Sequence, residues 1–137
     1  MQASVRLVHK HDMRCEAALC NGQALLRIDS LKHKTAADCG PSPLDLLAMA
    51  HGACTGMLVA MKGAAEGVNV DDMEIEVIHE YEAGPPMRMK SAQIRFLLGG
   101  DATPEQADRL RAAAGMCPVH TALRPDVPVT LEIVTAK

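Results

Sequence analysis

Apolar residues crowd one stretch of the chain, from Leu44 to Met61, and elsewhere alternate with polar ones. The crowded stretch reads as a helix. Ser42 stands where an N-cap belongs, Pro43 suits the first helical position, and Asp45 can return a hydrogen bond to the cap. A stripe at helical spacing runs Leu44, Leu47, His51, Cys54, Leu58, Met61, and the other faces carry Met49, Ala53, Met57 and Val59. A helix apolar all round is a buried one. The pattern therefore predicts a long buried central helix over Pro43 to Glu66, with Gly67 as its C-cap. A membrane span needs ~20 residues with few breaks. Asp45, His51, Gly52 and Lys62 interrupt this run, so no membrane is expected.

The rest alternates. Strands are predicted over Ser4 to His9, Arg14 to Leu19 and Ala24 to Ile28, with Asn21-Gly22 as a hairpin turn. Asp29 to Gly40 reads as a polar loop carrying Lys32, His33, Lys34 and Asp38. Met73 to Tyr81 puts Met73, Ile75, Val77, His79 and Tyr81 on one face and Glu74, Glu76, Ile78 and Glu80 on the other. Gly84-Pro85-Pro86 turns the chain, and Ala92 to Leu98 follows as a strand. Thr103, Pro104 and Gln106 start a second helix that ends at Gly115. Pro118 then makes Cys117 the N-cap of a short helix, and Pro128 to Val134 closes the chain as a strand. The order predicts an α+β fold, one domain over 1–137, with the central helix packed on a largely antiparallel sheet.

Composition adds limits. A chain of 137 residues can bury a proper core. With one Tyr, one Phe and no Trp, that core depends on Leu, Val, Ala and nine Met, and a second subunit is one way to complete it. The net charge of -3 comes with no basic stripe, which gives nucleic-acid binding no support. The N-terminus lacks the apolar stretch of a signal peptide. A cytoplasmic location is expected, with the five cysteines mostly reduced.

The candidate chemistry lies in thiols. Cys54 sits within the central helix, with His51 one turn before it. Cys117 at a helix N-terminus is expected to have a lowered pKa, because free amides stabilise an anion there. Cys15 and Cys20 read as strand packing, and Cys39 has no assigned role. His51-x-x-Cys54 and Cys117-x-x-His120 together also offer two imidazoles and two thiols, a set that zinc accepts. Packing alone is the other reading of these residues.

With these motifs in place the sequence resembles the OsmC/Ohr superfamily of osmotically inducible and organic-hydroperoxide-resistance proteins. The Gly40-Pro-Ser-Pro-Leu-Asp-Leu-Leu entry into a helix bearing Ala53-Cys54-Thr55 carries the match, with Cys117-Pro-Val-His120 and the strand order. The resemblance implies an intertwined homodimer, peroxidase chemistry on organic hydroperoxides, no cofactor, and a dithiol reductant such as a lipoylated protein or thioredoxin. It makes Cys54 the peroxidatic and Cys117 the resolving cysteine. Leu47, Met57 and Met61 would form an apolar surround. The resemblance also calls for an activating arginine, for which Arg14 is the first match and Arg27 the second. The family's supporting glutamate falls on Leu44, beside Asp45, and His51 is a further candidate activator. Whether the two cysteines pair within one chain or across the dimer stays open at this level.

Overall fold

The protein is described by a computed structural model covering residues 2, 5–10, 12–19, 24–30 and 39–135. Backbone contacts divide it into two compact units, Met1–Leu47 and Ala48–Lys137.

In the first unit, β1 (Leu7–Lys10), β2 (Arg14–Leu19) and β3 (Ala24–Asp29) form an antiparallel sheet in sequence order. β1 starts beyond Val5 and Arg6, and its side chains are exposed throughout. The β2–β3 register pairs Leu19 with Ala24 and Arg14 with Asp29. The Asn21-Gly22 turn, Cys20, and the loop residues Lys32, His33, Lys34 and Asp38 lie outside the described residues.

α1 (Pro43–Glu66) starts in the first unit and runs on into the second. The second unit continues with β4 (Glu74–Glu82), β5 (Arg88–Leu97), α2 (Pro104–Ala114), α3 (Pro118–Ala122) and β6 (Val129–Val134). The sheet order is β4-β5-β6. β4 and β5 pair antiparallel as a hairpin, whereas β5 and β6 pair parallel. A parallel pair needs a crossover connection, and α2 and α3 are that crossover. The core is Val59, Val68, Ile94, Phe96, Leu98, Leu110 and Ala114. The expected alternation of β4 holds, with Glu74, Glu76, Ile78 and Glu80 exposed and Val77, His79 and Tyr81 half-buried. α2 starts with the expected capping box. Thr103 accepts from the Gln106 amide at 3.1 Å, and Gln106 accepts from the Thr103 amide at 2.8 Å.

The central helix departs from its sequence pattern. It is buried along one face only, through His51, Gly52, Thr55, Gly56, Val59 and Gly63. Met49, Met57 and Met61 are 58%, 67% and 71% exposed. The cause is glycine. A Cβ on Gly52 would lie 2.6 Å from Val77 Cγ2, and one on Gly56 would collide with Ile75 Cδ1. The helix backbone approaches β4 so closely that the glycine face, not the face with the largest side chains, packs on the sheet. Length and composition alone would let α1 cross a membrane, but its glycine face is taken by β4. Gly52→Ala should therefore destabilise the protein in urea titrations. Overpacking costs about 1–3 kcal/mol, more than the ~1 kcal/mol that alanine adds in a helix. A stabilised variant would show that this close approach is not a constraint.

Candidate active site

The entry to α1 is built by its cap. Asp45 Oδ2 accepts hydrogen bonds from the Ser42 amide at 2.9 Å and the Ser42 hydroxyl at 2.8 Å, and the Asp45 amide donates to Ser42 Oγ at 3.1 Å. Among the groups flagged in the sequence, Asp45 thus starts the helix that carries Cys54. Thr55 is buried and donates its hydroxyl to the carbonyls of His51, at 2.8 Å, and Gly52, at 3.1 Å. These bonds hold the turn that separates His51 from Cys54.

Cys54 is half-buried and Cys117 fully buried, and both are free thiols. The second unit brings them together within one chain, close enough for the Cys54 side chain to act on Cys117. Cys117 is the N-cap of α3, as expected, but its thiol is shifted up, not down. Burial is the largest cause and the side-chain hydrogen-bonding interaction with Cys54 the second. The His120 and Val119 amides pull the other way and lose. The sulfur makes no well-formed capping bond, and α3 is only five residues long, so its dipole is weak. The thiol is held in its protonated form, and no cation figures among the influences on it.

Beside the thiols lies a histidine cluster. His51 Nδ1 is 3.0 Å from His79 Nε2, so one ring donates to the other. The His51 ring also meets His120 edge-on, with centroids 5.6 Å apart. Tyr81 lies beyond His79 at 6.5 Å between centroids. His51 is fully buried, and burial, then His79, then His120 push its pKa down to about 4. His79 is shifted down as well, by burial. His51 Nε2, His79 Nδ1 and His120 Nδ1 are buried without a hydrogen-bond partner among the described residues. Sequence alternation places His79 on the inner face of β4, but only the fold joins it to His51 and His120. Among the described residues no three His, Cys, Asp or Glu side chains are disposed to hold a metal ion.

The two candidate arginines lie in the first unit, and both pair with one carboxylate. Arg14 Nε is 3.0 Å and Arg27 Nε 3.3 Å from the buried Asp29. The strand register puts Arg14 opposite Asp29, and Arg27 lies two residues before it on the same face of β3. A 2.7 Å hydrogen bond from the Gly40 amide and the two guanidiniums hold the Asp29 carboxyl below its usual range, against the effect of burial. Asp29 is the carboxylate that reading the sequence missed. By composition the polar loop starts at Asp29, whereas Arg27-Ile28-Asp29 continues the alternation of the strand. Met57 and Met61, of the expected apolar surround, are exposed on the single chain.

The model of the OsmC-like protein family matches residues 33–132 of the chain. The chain belongs to the OsmC-like family. No curated protein matches it. Solved structures do resemble this OsmC-like chain. An OsmC-like protein from Mycoplasma pneumoniae is 14% identical, with 100% of this chain and 99% of that one covered and a TM-score of 0.82. An organic hydroperoxide resistance protein OsmC from Legionella pneumophila is 15% identical, with 98% of each chain covered and a TM-score of 0.74. The organic hydroperoxide resistance protein OhrB of Bacillus subtilis is 21% identical, with 96% of this chain and 98% of that one covered and a TM-score of 0.70. At these identities the likeness is one of fold.

Proposed function

We propose that this OsmC-like protein reduces organic hydroperoxides, with Cys54 as the attacking thiolate and Cys117 as the resolving thiol. The observation that carries the reading is the meeting of Cys54 and Cys117 within one chain. The thiolate of Cys54 attacks the terminal peroxide oxygen, the O–O bond breaks, and the alkoxide leaves as the alcohol after taking a proton. Cys54 becomes a sulfenic acid. Cys117 condenses with it, a disulfide forms and water departs, which protects Cys54 from irreversible oxidation. An external dithiol, such as a lipoylated protein or thioredoxin, returns both thiols. No cofactor is needed. The half-buried position of Cys54 and the buried position of Cys117 suit this division: the first is open to substrate, the second protected. The scheme calls for an activating cation, for which Arg14 and Arg27, both paired with Asp29, are the candidates. The exposed Met49, Met57 and Met61 of α1 are an apolar face that a second copy would cover, which supports a homodimer.

A second reading keeps the fold and the thiols but has no peroxidase turnover, the protein acting in another redox or small-ligand role. The raised pKa of Cys117 and the absence of a cation among its influences favour it. Steady-state consumption of cumene hydroperoxide with a dithiol reductant separates the two. Sustained turnover supports the peroxidase, and alkylation of Cys54 by iodoacetamide without peroxide turnover supports the alternative.

A further inference from the structure

Cys54 lies within α1, where the Thr55 hydroxyl donates to the carbonyls of His51 and Gly52. Cys117 stands between two helices. Its amide donates to the Ala114 carbonyl of α2 at 3.3 Å, and its carbonyl accepts from the Thr121 amide of α3 at 3.0 Å. Each thiol is thus carried by fixed backbone, and the two are in side-chain hydrogen-bond contact. Two sulfurs held together in this way form a ready chelate, because a ligand has little left to order.

We infer that the Cys54–Cys117 pair is a binding site for trivalent organic arsenicals, compounds of the form R–As(OH)2 that exchange both hydroxyls for the two sulfurs. The inference uses the same thiol contact as the peroxidase reading but no peroxide chemistry.

The number of donors selects this class first. Thiolates take soft elements, and structural zinc wants four ligands. Among the described residues no three His, Cys, Asp or Glu side chains are disposed to hold a metal ion. An arsenic atom that brings its own carbon ligand needs only two more. The spacing selects next. Linear ions such as Ag(I) and Hg(II) hold two sulfurs on opposite sides, too far apart to touch. Pyramidal As(III) holds both on one side, with the closeness that a disulfide also needs.

Charge decides against the remaining soft cations. A monovalent ion between two thiolates leaves one negative charge. Cys117 is fully buried, and no cation figures among the influences on it. A buried charge without a partner is costly. The arsenic dithiolate is neutral and carries no such cost.

The exchange balances without any change of oxidation state. Cys54 is half-buried, so an incoming arsenical meets it first. The Cys54 sulfur displaces one hydroxyl from arsenic, and Cys117 displaces the other. Two As–O bonds break and two As–S bonds form. The two thiol protons leave with the two hydroxyls as two molecules of water, and the organic group stays on arsenic.

The test uses phenylarsine oxide on the reduced protein, read by intact-mass spectrometry and peptide mapping. The native protein should take up one arsenic per chain, bridging Cys54 and Cys117. It should keep that arsenic in a large excess of glutathione, a monothiol, and give it up to 2,3-dimercaptopropanol. Cys54→Ser and Cys117→Ser hold arsenic by one sulfur and should lose it to glutathione, with affinity lower by at least about a hundredfold. Cys39→Ser should match the native protein. Should one of the site variants fail to fold, the other decides. Arsenic lost to glutathione as readily from the native protein as from the site variants overturns the inference. So does a bridge between other cysteines, or stoichiometric Zn(II) retained by the reduced protein. An arsenic bridge without hydroperoxide turnover upholds the inference and counts against the peroxidase reading, and turnover without a bridge does the reverse.

Discussion

Cys54→Ser protein should consume cumene hydroperoxide at least about a thousandfold more slowly than the native protein, since removing a nucleophile abolishes the step it performs. A serine hydroxyl in the same place is not ionised near neutrality and does not attack a peroxide oxygen. Cys117→Ser should behave differently. Its Cys54 still reacts once, giving a sulfenic acid, but nothing within the chain converts that acid into a disulfide. The variant should show a single stoichiometric oxidation, then stall, and excess hydroperoxide should carry Cys54 on to the sulfinic acid. The contrast between slow and stalled separates attacker from resolver, and stopped-flow peroxide consumption with mass spectrometry reads both. Cys39→Ser, exposed and in the other unit, is the control. Undiminished turnover in Cys54→Ser would eliminate the mechanism.

The second large effect is on stability in acid. His51 has a folded-state pKa of about 4 against an ordinary value of 6.5, so the fold favours its neutral form. The stabilisation is fully present above pH 6.5. It is lost progressively as the pH falls from there towards 4, because the unfolded chain takes up a proton that the folded one refuses. The shift corresponds to about 3 kcal/mol. Urea denaturation at a series of pH values should show this loss, and His51→Gln should flatten the curve over the same window. Asp29 acts in a different place. Its carboxyl is held below the usual value of 3.8, so its contribution is present above that value and is lost only as the pH falls through the lowered pKa. An unfolding profile unchanged between pH 6.5 and 4 would mean that His51 is not buried as a neutral imidazole.

Most of the element order was legible because it rests on local signals. Ser42 with Asp45, and Thr103 with Gln106, both form the caps that their spacing predicts. The alternation of β4 identified its inner face, His79 included. What failed was the expectation that a helix apolar all round is buried all round, since Met49, Met57 and Met61 are exposed. Gly52, Gly56 and Gly63 carry no hydropathy to count, yet they are where helix and sheet meet. The shift at Cys117 was misread because a helix N-terminus is a local feature, whereas the burial and the second thiol that outweigh it come from distant parts of the chain. For the same reason Asp29 went unnoticed. Its partners are Arg14 across the strand pair and Gly40 beyond a loop, and only the fold assembles them. The parallel pairing of β5 with β6 is likewise a long-range fact, set by the crossover through α2 and α3.

The most direct measurement is peptide mapping of the reduced protein after exposure to a single equivalent of cumene hydroperoxide. The account predicts one new species, in which a disulfide within a single chain joins Cys54 to Cys117 and Cys15, Cys20 and Cys39 stay reduced. Oxidation that leaves these two cysteines unlinked, or that joins either of them to a different cysteine or to a second chain, would contradict it.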